Sequence, residues 1–148
     1  KHRKYGGNIY KYCLPLCVVS PSSIMIHKDI FKDVGLFDEN FPVCEDYDLW
    51  LRICSRYPVV YLREKLIKKF GGHDDQLSRR YWGMDRFRIQ ALEKMINDPV
   101  LSENDRMATI TTAINKARIL QKGLVKHSHE EEAEKMTKKL AELETLYG

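Results

Sequence analysis

The most constraining feature of this chain is a change of rhythm near Ser78. Beyond it, apolar residues recur at the three-and-four spacing of an α-helix. Before it, apolar runs last only a few residues and are broken by Pro15, Pro21, Gly35, Pro42 and Pro58. The later part predicts three helices, about Arg80 to Asn97, about Glu103 to Lys126 and about His129 to Tyr147. Ser102 with Asp105 and Ser128 with Glu131 fit the S/T-x-x-D/E capping pattern at the last two starts. Ile110, Ile114, Ala117, Leu120 and Leu124 make one apolar row, and Met136, Leu140, Leu143 and Leu146 or Tyr147 make another. Packing the last two helices antiparallel buries both rows.

The earlier part mixes two kinds of element. Cys17-Val18-Val19-Ser20, Ser23-Ile24-Met25-Ile26 and Val59-Val60-Tyr61-Leu62 are β-prone runs between turn residues and predict short strands. Lys28 to Val34 predicts a short helix stopped by Gly35. Glu45 to Tyr57 predicts another, with Leu49, Trp50, Ile53 and Tyr57 as its buried stripe and Pro58 as its end. The expected fold class is therefore α/β, of the mixed α+β kind, with short strands and a C-terminal helical hairpin.

At 148 residues, 31% charged and 43% hydrophobic, the chain suits one globular domain, neither a disordered tail nor a membrane bundle. No stretch approaches the ~18 consecutive apolar residues that span a bilayer. The basic start Lys1-His2-Arg3-Lys4 runs into Tyr5-Gly6-Gly7-Asn8 rather than an apolar core, so no secretory leader is expected. With no initiator Met, the chain reads as a piece of a longer protein. The net charge of +4 divides into about −3 for residues 128–148 and +7 for the rest. Cys13, Cys17, Cys44 and Cys54 contain no CxxC pair, which argues against a zinc knuckle and for reduced, mostly buried thiols in a reducing compartment.

The informative stretch is Ser22-Ser23-Ile24-Met25-Ile26-His27-Lys28, then Val34-Gly35-Leu36-Phe37-Asp38-Glu39, then Glu45-Asp46-Tyr47-Asp48-Leu49-Trp50-Leu51-Arg52. It resembles the acceptor-side, C-terminal half of the catalytic domain of family 2, GT-A fold glycosyltransferases. There a G-x-F-D-E loop precedes an E-D-x-D-L-x-x-R helix start. The resemblance covers about residues 15–97 and implies a partial GT-A type nucleotide-diphospho-sugar transferase fold, with residues 1–97 as part of the catalytic domain and 98–148 as a helical extension. It also implies transfer of a sugar from a nucleotide-sugar donor to an acceptor hydroxyl with inversion. In such chemistry the attacking hydroxyl must lose a proton, and a carboxylate held on a rigid helix start can accept it. The resemblance makes Asp46 that general base, with Glu45 beside it on an acceptor hydroxyl and Trp50 a substrate contact.

Asp48 and Arg52, four apart on a helix, read as a structural ion pair, and Asp38 as a residue that ties its loop to nearby backbone. Asp46-Tyr47-Asp48 spells D-x-D, the metal motif of such enzymes. Two residues apart on a helix, however, the side chains diverge by about 200° and do not chelate one ion.

A second cluster, Gly71-Gly72-His73-Asp74-Asp75-Gln76-Leu77-Ser78-Arg79-Arg80, combines close backbone approach with groups that can engage a diphosphate. By the same resemblance His73, Ser78 and Arg79 are candidate donor contacts, and His73 is a candidate metal ligand for the Mg2+ or Mn2+ implied for the full-length enzyme. The nucleotide-binding half has no counterpart in residues 1–16, so this chain alone is expected to be inactive. Gln76, Arg79 and Trp82 do not have the Q-x-x-R-W spacing of processive synthases.

The implied partners are a nucleotide-sugar and a saccharide or lipid-linked acceptor, at the cytoplasmic side and peripheral to the inner membrane face. Self-association through an unpaired sheet edge is also expected. Arg79, Arg80, Arg86 and Arg88 do not form one clustered basic face, so nucleic acid is not an expected partner. The alternative readings are a noncatalytic interaction module and an inactive glycosyltransferase relative.

Overall fold

The computed structural model describes residues 4–68 and 82–147. It divides into two compact units, residues 1–84 and 85–148. The described residues form six α-helices: α1 (Tyr10–Cys13), α2 (Ile30–Val34), α3 (Glu45–Cys54), α4 (Asp85–Ile96), α5 (Glu103–Lys126) and α6 (Glu130–Tyr147). A 3-10 turn lies at Pro21–Ser23.

The expected α/β class is corrected here, because no strand occurs among the described residues. Their β pairing is one isolated antiparallel bridge between Gly7 and Val59. The physical reason lies in what a strand needs. Ser20 and Ile24 do have extended backbone, φ −99° and −126°, as β-prone sequence favours. An extended segment leaves its N–H and C=O groups unpaired until a neighbour supplies a ladder, and here only Gly7 and Val59 exchange such bonds, at 2.7 and 2.9 Å.

In the first unit α3 is the central element. Tyr47, Asp48, Leu49, Trp50, Leu51, Ile53 and Cys54 are all buried, so most of its circumference is covered. One side packs on α1, where the Tyr47 hydroxyl donates to the Leu14 carbonyl and the buried Cys13 and Cys54 thiols hydrogen-bond each other. That bond and burial push the Cys13 thiol up, keeping it neutral. The other side forms a cluster of Val34, Leu49, Trp50 and Ile53, against which Cys17, Val19, Ile24, Ile26, Ile30, Phe31 and Tyr57 pack. Two of the β-prone runs thus pack Cys17, Val19, Ile24 and Ile26 against this cluster without pairing their backbones, whereas Val60, Tyr61 and Leu62 of the third are exposed. All four cysteines are free, and three are buried.

The second unit is an up-down-up helical bundle. Arg118 with Glu144 and Gln121 with Thr137 set α5 and α6 antiparallel, and Lys139 with Glu93 and Arg86 with Glu132 set α4 and α6 parallel. Ile110, Ile114, Ala117, Leu120 and Leu124 are buried as one row. On α6 Ala133 and Leu143 are buried, whereas Leu146 and Tyr147 are exposed.

Ser102 caps α5, accepting the Asp105 N–H at 3.1 Å. Ser128 does not cap α6. It takes left-handed backbone, φ 60°, and ends α5 instead: the Ser128 N–H reaches Val125 O at 3.2 Å and the His129 N–H reaches Leu124 O at 3.0 Å. These are the two bonds of a Schellman motif, with serine where glycine is usual.

Candidate acceptor-side carboxylate site

The site is built on the start of α3. Cys44, buried and in left-handed backbone (φ 63°, ψ 18°), turns the chain into the helix, and its carbonyl accepts the Asp48 N–H at 3.1 Å. Holding a non-glycine residue there costs roughly 1–2 kcal/mol. Glu45, Asp46 and Asp48 then occupy the first turn, where the helix dipole favours negative charge.

The three carboxylates have different surroundings. Glu45 is half-buried. Asp46 is half-buried too: its Oδ1 accepts the Tyr47 N–H at 2.7 Å and its Oδ2 faces the Cys17 thiol at 3.3 Å. Among the described residues no cation pairs with Asp46. Asp48 turns inward and is 1% exposed, its Oδ2 accepting from Arg52 Nε at 3.0 Å and Nη2 at 2.7 Å. Asp46 and Asp48 therefore do not converge on one ion, as their helical spacing predicts. No group of three metal-ligating side chains occurs among the described residues.

Arg52 does more than neutralise Asp48. Its Nη1 also donates to the Val34 carbonyl, and its Nη2 to the Leu36 carbonyl at 2.9 Å. These carbonyls flank Gly35, which ends α2 with φ 78° and whose N–H returns to Phe31 O at 3.0 Å. One guanidinium thus ties the Gly35-Leu36-Phe37-Asp38-Glu39 loop to the helix that presents Glu45 and Asp46. Within that loop Asp38 Oδ1 accepts from the Asn40 N–H at 3.0 Å and from Asn40 Nδ2 at 2.9 Å, closing an Asx turn.

Glu45 and Asp46 therefore lie side by side at the helix start. Trp50, one turn later, is 2% exposed in the core cluster, and its indole N–H has no hydrogen-bond partner among the described residues. His73, Ser78 and Arg79 lie outside the described residues. Sequence reasoning missed two contacts: the Cys17 thiol on Asp46 and the capture of loop carbonyls by Arg52. No local pattern signals the first, because 29 residues separate the pair. The i,i+4 spacing of Asp48 and Arg52 signals half of the second.

Residues 11–98 match the model of the family described as Glycosyltransferase like family 2. Among curated proteins, the chain is similar to an uncharacterized glycosyltransferase of Rickettsia felis, 32% identical over 69 residues, which are 45% of this chain and 11% of that protein. It is also similar to uncharacterized glycosyltransferases of Rickettsia conorii (32% identical; 45% and 11% covered) and Rickettsia bellii (33% identical; 45% and 10%). The match thus spans about a tenth of the length of these relatives. No solved structure matches. The family match covers more than half of the residues and contains both the Gly35 loop and the Glu45-Asp46 helix start, and on that ground the chain belongs to the glycosyltransferase-like family 2.

Proposed function

We propose that this chain is the acceptor-side part of a nucleotide-sugar-dependent glycosyltransferase that inverts the transferred sugar, with Asp46 as general base and Glu45 positioning the acceptor. The observation that carries the reading is the state of Asp46. It is half-buried on a rigid helix start, oriented through both oxygens, and has no described cation to hold it as a structural ion pair. In the step, a carboxylate oxygen of Asp46 takes the proton of the acceptor hydroxyl while that oxygen bonds to the anomeric carbon. The bond from that carbon to the diphosphate breaks with its electron pair, and the nucleoside diphosphate leaves.

Donor contacts are assigned to His73, Ser78 and Arg79 on sequence grounds alone. Mg2+ or Mn2+ would neutralise the leaving diphosphate, but the described residues do not fit such an ion, with Asp48 committed to Arg52 and Asp46 to Tyr47 and Cys17. No step is therefore routed through a metal. No described helix is long and apolar enough to cross a membrane. Action on a lipid-linked or saccharide acceptor at the cytoplasmic membrane face is part of the proposal, of which the four free cysteines support only the reducing compartment.

The test is Asp46→Asn in the whole protein, assayed for transfer from a nucleotide-sugar. The amide keeps the shape but cannot take the proton, so kcat should fall about 10²-fold or more. A wild-type rate overturns the assignment.

A further inference from the structure

We propose that Cys17 is a positioning residue for Asp46, holding its carboxylate in the orientation from which it takes the acceptor proton; the inference rests on Asp46 being the base. Cys17 lies beyond α1, and tertiary packing alone brings it to the start of α3. Its Sγ is 3.3 Å from Asp46 Oδ2 and 3.2 Å from the Val19 carbonyl, so one thiol proton serves two acceptors. A thiol is a weak donor, and its value here is direction rather than strength.

The Tyr47 N–H holds Oδ1 at 2.7 Å, from the residue next in sequence. The thiol holds Oδ2 from a different segment. Donors on different oxygens oppose rotation of the carboxylate about its Cβ–Cγ bond. With Cys17 removed, only the contact from Tyr47 remains and the carboxylate can swing. The anchor itself is firm, because Cys17 and Val19 both pack against the cluster that contains Trp50. Misplacing a catalytic group by about 1 Å can cost on the order of 10² in rate, so a weak bond that sets an angle can matter to turnover.

Cys17 also fills space in an apolar cluster, and two substitutions separate filling from positioning. Cys17→Val keeps the apolar packing and loses the donor, whereas Cys17→Ser keeps a donor and loses apolar packing. Transfer kinetics of both variants of the whole protein, beside Asp46→Asn, form the experiment, with thermal unfolding as the control for packing. If Cys17 positions Asp46, kcat falls about five- to tenfold in Cys17→Val with KM unchanged, and Cys17→Ser stays within about twofold of wild type although it is the less stable variant.

A kcat for Cys17→Val equal to or above that of Cys17→Ser overturns the proposal, since activity would then follow packing. Asp46→Asn inactive with Cys17→Val fully active overturns the role of Cys17 alone. Asp46→Asn at the wild-type rate overturns the base assignment and this inference with it.

Discussion

At the scale of single residues, Arg52 decides how the candidate site is held. Its side chain is 13% exposed against 1% for Asp48, so the pair is largely out of water, and two further guanidinium protons go to the Val34 and Leu36 carbonyls. Removing one partner of a buried pair leaves a charge without compensation, which typically costs about 3–5 kcal/mol. Arg52→Ala is therefore expected to destabilise the chain by about 3 kcal/mol, read from the urea midpoint. Arg52→Lys should recover only part of this, because an ammonium lacks the planar fork that spans a carboxylate and two carbonyls. An unchanged midpoint in Arg52→Ala would mean that the brace contributes nothing. The i,i+4 spacing made the Asp48–Arg52 pair legible in the sequence. Its reach to the Gly35 loop was not legible, because it depends on how α2 approaches α3.

Among elements, the helices were the most legible, since a helix satisfies its backbone within its own segment and periodicity alone reveals the face it buries. The apolar row from Ile110 to Leu124 is buried as its spacing predicts, and Ser102 caps α5 as its pairing with Asp105 predicts. Ser128 shows the limit of such reading. Ser128 and Glu131 have the letters of a cap, but the three-residue link between α5 and α6 turns through a left-handed residue, and Ser128 is spent on that turn. A left-handed L-residue pays a steric cost that glycine avoids. Ser128→Gly should therefore stabilise the chain by about 1 kcal/mol in chemical denaturation. A destabilising effect would contradict the assigned turn. The β-prone runs were misread for the complementary reason: a strand is completed by another segment, and local propensity says nothing of whether one arrives.

At the scale of the whole molecule, the two compact units rest on different physics. The first is organised around one helix buried on most sides, and the second is an amphipathic bundle tied by charged contacts. Asp85, at the start of α4, faces Arg88 at 2.9 Å and Lys116 of α5 at 3.2 Å. Burial pushes its carboxyl up, but the Arg88 and Lys116 contacts together outweigh that and hold it below the usual carboxylate range. A lowered folded-state value means that the contribution is fully present above about pH 4 and is lost as pH falls from there through the folded value. Stability should thus drop on acidification below about pH 4. Asp85→Asn should flatten that drop and cost on the order of 2 kcal/mol at neutral pH, where Lys116 loses its partner. Thermal unfolding of both forms at pH 7 and pH 3 checks this; equal acid sensitivity would remove Asp85 from the account. By itself, the sequence determined the longer helices, the inward row of α5, the Gly35 stop and the family to which the Glu45-Asp46 pattern belongs, because each is written in residues a few positions apart. Only the tertiary structure decided that the β-prone runs form no sheet among the described residues, and that Cys17 meets Asp46 while Arg52 meets the loop. Those outcomes depend on segments far apart in the chain, and packing, rather than local propensity, brings them into contact.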